Sequence, residues 1–297
     1  MTSLLRFWQP ERGVRIGCYI ENTVYDITDQ LGSVASWLKT SIGRLEEAIR
    51  ELDGYAEQAG TRWSISSFDR APDPHVPHWL APIDDQDIWA AGVTYYRSRE
   101  ARQLEAIDGG DVYARVYLAE RPELFFKAAA HNAVGHRAAV GIRADANWSV
   151  PEPELALVLN PAMEVAGITI ANDMSSRDIE GANPLYLPQA KIYTASCALG
   201  PWISLQPLHD WPQARIELLI ERAGKHVFSG SIETSQIQRP IHNLIDHLSR
   251  SNHFPNGVVL LTGTGIIPPE EFTLQAGDKI SIAIQDIGVL NNWVKVV

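Results

Sequence analysis

The chain has 297 residues, 45% hydrophobic and 21% charged, enough for one large domain with a small appendage or for two modest ones. Its formal net charge of −11 argues against the basic stripe that a nucleic-acid or anionic-membrane partner requires. Cys18 and Cys197 stand far apart and form no zinc pattern. That usage fits a reducing, cytoplasmic setting better than a disulfide scaffold. The opening MTSLLRFWQPERG does not read as a secretory leader, and no stretch approaches the ~20 apolar residues of a membrane span.

In chain order, LLRFW, RIGCYI and TVYDI read as short strands separated by turns at Gly13 and Asn22. Residues 32–52 carry helical spacing, with Leu38, Leu45 and Ile49 on one face. Four prolines in APDPHVPHWLAP predict a linker over 71–82. A small N-terminal α/β domain over 1–80 and a main catalytic domain over 81–297 are therefore expected. In the main domain LALVLN and VAGITIAND pair as a hairpin through Pro161-Ala162-Met163-Glu164. Residues 214–232 form two strands around Ala223-Gly224, and PIHNLIDHLSR forms a helix. VVLLTGTG is a buried strand running into a glycine loop, and the last strands turn near Asn291-Asn292. No repeat and no regular βαβ alternation appears, which disfavours Rossmann and TIM architectures. The expectation is an α+β, mostly β fold: a mixed, largely antiparallel roll with peripheral helices.

The sharpest local feature is Pro151-Glu152-Pro153-Glu154 ahead of LALVL. Residues i and i+2 of a strand point to one side, so Glu152 and Glu154 share a face. Asp173 ends the next apolar run, where a hairpin brings it beside them. Three oxygen ligands suit Mg²⁺ or Mn²⁺. A solvated strand entrance fits the same spacing, and the ExE pattern alone does not separate the two. His131 and His136, like His242 and His247, lie five apart and do not make a helical metal pair. Gly263-Thr264-Gly265 offers backbone N–H groups to an anion or is a plain turn.

PEPELALVL, ITIANDMSSRD, AKIYTASCALGP and LLTGTG, in this order and spacing, resemble the fumarylacetoacetate hydrolase superfamily over roughly 83–297. RPELFFKA, VGHRAAVGIRAD, WSVPEPELALVL and NPLYLPQAKIY resemble its 2-keto-3-deoxy-D-arabinonate dehydratase branch over nearly the whole length. The resemblance implies a β-sandwich roll with metal carboxylates at Glu152, Glu154 and Asp173, and Mg²⁺ or Mn²⁺ as cofactor. It implies catalytic roles for Glu123 and Lys191, and substrate contacts from Thr94, Lys191 and Thr264. It further implies a small 2-keto acid as partner, with a homodimer or homotetramer as the assembly. Lys127 stands where it can orient a carboxylate, and Arg177 and Asp178 read as supporting, helix-start residues.

The implied reaction is dehydration of a 2-keto-3-deoxypentonate to 2,5-dioxopentanoate. Many hydrolases of the superfamily carry G-x-N-Y-x-x-H, whose histidine activates water. Here the run is Gly92-Val93-Thr94-Tyr95-Tyr96-Arg97-Ser98, and serine is no base near neutral pH. Loss of water fits that change better than the alternative, C–C hydrolysis of acylpyruvates or diketo-deoxy sugar acids. A decarboxylase of the oxaloacetate type and a non-catalytic metal-binding domain are the other readings of the scaffold.

Overall fold

The computed structural model describes residues 2–96 and 111–297. Its centre is a hairpin of two apolar strands, Pro153–Leu159 and Val165–Asp173, buried on both faces. Runs this apolar must be covered on both sides. Around the hairpin a twelve-stranded sheet extends both ways. On one side it continues through Cys197–Leu205, Ser3–Gln9, Gly13–Ile20, Thr23–Asp26 and Arg62–Ser64; on the other, through Val258–Leu261, Asp87–Gly92 and Glu123–Ala128. Pairing is mostly antiparallel, with a parallel step between Val258–Leu261 and Asp87–Gly92.

A second sheet, ordered Lys225–Glu233, Arg215–Arg222, Lys279–Ile284, Gly288–Val296 and Ala139–Ile142, covers one face of the first. Between them Leu155, Leu157, Ile168 and Ile170 meet Ile216, Leu218, Ile280, Ile282 and Leu290. Leu244 and Leu248 of the helix Ile241–Ser249 complete this core. The opposite face, with Ala156, Val158 and Ala171, packs under Trp37, Leu38 and Leu52 of two N-terminal helices. The expected mostly β, α+β roll is thus observed, and among the described residues no helix is long and apolar enough to cross a membrane. Both cysteines are free and buried.

Local departures have simple causes. The helical spacing over 32–52 is split into Val34–Thr40 and Leu45–Gln58, because Gly43 adopts a φ of 69° between them. Ser33 caps the first helix by accepting from Ser36 N at 2.9 Å. Within the proline-rich stretch His78–Trp79 forms a short strand that pairs with Phe7 and Trp8. The main sheet itself runs across residue 80, since Leu4 pairs with Ile203. The hairpin turn at Ala223-Gly224 stands as expected, both residues having positive φ. The last turn does not: Asn291 and Asn292 lie in the strand, and the reversal falls at Asp286, with φ 62°. Asn292 is held there because its side-chain amide donates to Gly135 O and Ala138 O, both at 3.0 Å.

His136 joins the two sheets. Its Nδ1 accepts from Asn291 N at 3.1 Å, which leaves the proton on Nε2, facing Asp69 Oδ1 at 3.4 Å. Burial pushes its pKa down from 6.5 to about 4, only partly opposed by Asp69. A folded pKa below the unfolded one gives stability that is present above about 6.5 and lost as pH falls toward 4. Urea midpoints should therefore drop between pH 7 and pH 5, and His136→Asn should flatten that slope. An unchanged slope in the variant removes His136 as the cause.

Candidate active site

The carboxylates lie where the alternation of the central hairpin puts them. In Pro153–Leu159 the odd positions face the second sheet and the even ones the N-terminal helices. Glu154 continues the even row, and it pairs with Ala171 of the same core, so Asp173, two residues on, shares its face. Pro153 is tolerated as the first residue of the strand. Glu152 is brought alongside by Asp173 N, which donates to Glu152 O at 2.9 Å, and by its own N–H, which donates to Asn172 Oδ1 at 3.2 Å. One oxygen from each of Glu152, Glu154 and Asp173 lies within 4.8 Å of the others, and all three residues are buried.

Three buried cations surround this set. Lys127 Nζ lies 2.6 Å from Asp173 Oδ1 and donates to Met174 O at 3.0 Å. Lys191 Nζ donates to Glu152 Oε2 at 2.8 Å, Asp173 Oδ2 at 3.1 Å and Ser175 Oγ at 2.6 Å. Arg177 Nη2 lies 3.0 Å from Glu152 Oε1. Glu154 differs from its neighbours. It accepts from Gly263 N at 2.6 Å, and no cationic side chain pairs with it among the described residues. Burial, then the charges of Asp173 and Glu152, pushes its pKa well above the usual carboxylate range.

This donor set fits a hard divalent cation. All ligands are carboxylate oxygens, and the carboxylate lacking a cation is the one that a bound ion would relieve.

Two glycines shape the surroundings. Gly263 has a φ of 92°, and a Cβ there would strike Thr94 Oγ1. Only glycine lets this loop turn its N–H toward Glu154. Gly92 pairs with Glu123 across adjacent strands, and a Cβ on Gly92 would fall on the Glu123 carboxylate. The empty Cα face of Gly92 is thus the seat of that carboxylate. Glu123, Lys191, Thr264 and the three acids line one cavity.

Thr94 stands apart from that expectation. It is fully buried and outside the cavity lining, and its hydroxyl donates to Thr262 O at 2.7 Å, bracing the glycine loop from behind. Ser98 lies outside the described residues. Arg177 and Lys127 are in the supporting positions foreseen for them. Asp178 stands in the first turn of the helix Arg177–Ala182, as expected of a helix-start residue, and accepts from Asn147 N at 2.7 Å, outside the cavity lining. Phe125, Ser175 and Glu180 went unforeseen. Glu180 is buried on the cavity wall, one helical turn after Arg177 in Arg177–Ala182, and that i, i+3 spacing was its signal. Phe125 follows Glu123 by two on the same strand face and lies 5.7 Å under Lys191 Nζ.

Comparison with known proteins identifies the family. Residues 88–295 match the family described as fumarylacetoacetate (FAA) hydrolase C-terminal. A probable 2-keto-3-deoxyxylonate dehydratase of Haloferax volcanii is 39% identical over 93% of this chain and 94% of its own. A 2-dehydro-3-deoxy-D-arabinonate dehydratase of Saccharolobus solfataricus is 42% identical over 72% of this chain and 73% of its own. A solved 2-keto-3-deoxy-D-arabinonate dehydratase, complexed with magnesium and 2,5-dioxopentanoate, superposes with a TM-score of 0.80 at 32% identity over 99% of both chains.

Lys127→Met tests the buried charge balance. Removing one partner of a buried pair leaves an uncompensated charge, which costs about 3–5 kcal/mol. Chemical unfolding of the metal-free variant should show a loss of that order, whereas a loss below about 1 kcal/mol would mean that Asp173 does not depend on Lys127.

Proposed function

The chain belongs to the fumarylacetoacetate hydrolase family, and from that premise we propose that it dehydrates a 2-keto-3-deoxypentonate, such as 2-keto-3-deoxy-D-arabinonate, to 2,5-dioxopentanoate. The observation that carries this reading is the full-length likeness to a dehydratase solved with magnesium and that product. The buried triad beside the Glu123 carboxylate supports it from this chain's own residues.

Glu152, Glu154 and Asp173 would hold Mg²⁺ or Mn²⁺. When bound, the ion supplies a Lewis-acid charge that makes a proton next to a keto group easier to remove. Glu123, seated against Gly92, takes the C3 proton as the C–H bond breaks. The C4–O bond then breaks, and the hydroxyl leaves as water after receiving a proton from the same carboxyl group. Proton shifts along the carbon chain place the aldehyde at C5. The balance is one substrate to one product and one water. Lys191 fixes the orientation of Glu152 and Asp173 and reaches the substrate's oxygens from the cavity wall. Thr264, at the mouth of the glycine loop, meets the substrate carboxylate, while Thr94 serves it from behind by holding that loop. A homodimer or homotetramer belongs to the same reading. Leu219, Val289 and Trp293, exposed on the second sheet, offer apolar surface for it.

Incubation with Mg²⁺ and a panel of 2-keto-3-deoxypentonates tests the reaction. The expected product retains all the carbons and is lighter by one water; two fragments would mean C–C hydrolysis instead. Glu123→Gln should lower kcat by on the order of 100-fold or more. A near-normal rate in that variant removes Glu123 as the proton carrier.

A further inference from the structure

The segment that joins Asp87–Gly92 to Glu123–Ala128 carries the cavity's glycine seat at one end and its proton carrier at the other. Both ends of that segment are tied to one strip, residues 237–239. At the near end Gln238 N donates to Thr94 O at 3.0 Å, and Tyr95 bridges to Ile237. At the far end Arg239 meets the last turn of the helix Asp111–Leu118. Its Nη2 donates to Val116 O at 2.8 Å and Ala119 O at 2.9 Å, and its Nη1 donates to Glu120 O at 3.3 Å. Arg239 is itself held. Its Nη1 also donates to Asn243 Oδ1 at 3.2 Å, and its carbonyl accepts from Trp211 Nε1 at 2.7 Å.

The chemistry of the pairing is specific. The last carbonyls of a helix have no partner within the helix and carry partial negative charge. A glycine or asparagine in the left-handed conformation commonly answers them, but the sequence after Leu118 runs Ala119-Glu120-Arg121-Pro122. A planar guanidinium with a fixed fork of donors takes that place from a distant part of the chain, which a lysine's single ammonium does less well. Glu120 is three residues before Glu123, and Pro122 stiffens the link between them.

We infer that Arg239 is a positioning residue for Glu123: by clamping the carbonyls of Val116, Ala119 and Glu120, it sets where the strand Glu123–Ala128 begins and so where the Glu123 carboxylate enters the cavity. The inference rests on Glu123 being the proton carrier. It predicts a division of labour that a general structural role would not give. The proposed metal carboxylates sit on or next to the central hairpin strands, so loss of Arg239 leaves them alone and displaces only the proton-handling group.

The test compares Arg239→Ala, Arg239→Lys and the wild type by three readouts. In Arg239→Ala, kcat should fall by about 10- to 100-fold, the cost of a misplacement near 1 Å, with KM and Mg²⁺ affinity close to wild type. Added methylguanidinium should restore part of the rate, and Arg239→Lys, which folds with its charge intact, should fall between the two. The ¹³C titration of the Glu123 carboxyl should shift in Arg239→Ala with no substrate present. That last readout separates this inference from the reaction itself: a shift together with a wild type inactive on keto acids would keep Arg239 as the anchor of Glu123 and overturn only the proposed reaction. Unchanged kcat and an unchanged Glu123 titration in both variants would overturn the inference, as would a loss of Mg²⁺ affinity equal to the loss of rate.

Discussion

Three carboxylates packed into the end of a fully buried hairpin are the constraint on which the rest of the molecule depends. Taking a charge out of water costs several kcal/mol even after relaxation, and three like charges within 4.8 Å add their mutual repulsion. The fold meets that cost with Lys127, Lys191 and Arg177, each brought from a different element and each buried. Glu154 is left with one backbone N–H and a raised pKa, which makes it the place where a divalent ion gains most. Buried ion pairs generally add little stability over well-packed apolar residues, so the arrangement points to function rather than to folding.

The same constraint explains the irregular parts of the chain. A loop must bring an N–H to a buried carboxylate, and it does so at Gly263 with Thr94 pressed behind it. A carboxylate must lie over a strand of the main sheet without a methyl group beneath it, and Gly92 provides that place. The central strands are packed on both faces, whereas Glu123 stands on the outermost strand of the sheet path, Glu123–Ala128. In the proposed reaction, carboxylates fixed in the central hairpin would face a more separately held acid, which suits one electrostatic and one proton-handling component.

Much of this was legible in the residues. The apolar runs LALVLN and VAGITIAND showed the hairpin, and the i, i+2 spacing of Glu152 and Glu154 pointed to a shared face. Spacing could not decide between a solvated entrance and a buried site, because the same backbone serves both; the decision came from burial with Lys127, Lys191 and Arg177, which no local pattern ties to Glu152 and Asp173. Thr94 illustrates the limit in another way. Its hydroxyl type suited a substrate contact, yet its partner is a carbonyl 168 residues away, a distance that only tertiary structure reveals. The turn placed at Asn291-Asn292 failed for a similar reason. Asparagine favours turns when its amide has no better partner, and here Gly135 O and Ala138 O supply one. Phe125 was missed because a lone ring has no signature until the cavity around it is known, and the i, i+3 spacing of Glu180 from Arg177 points to the cavity only once Arg177 is placed there.

The central claim is that Glu152, Glu154 and Asp173 form one divalent-cation site, and titration calorimetry with Mg²⁺ on the wild type and on Glu154→Gln tests it most directly. One ion should bind per chain in the wild type, and binding should weaken by at least about tenfold in the variant, with the far-ultraviolet circular dichroism of both proteins alike. Equal Mg²⁺ affinity in the two proteins, or no binding to the wild type, would contradict it.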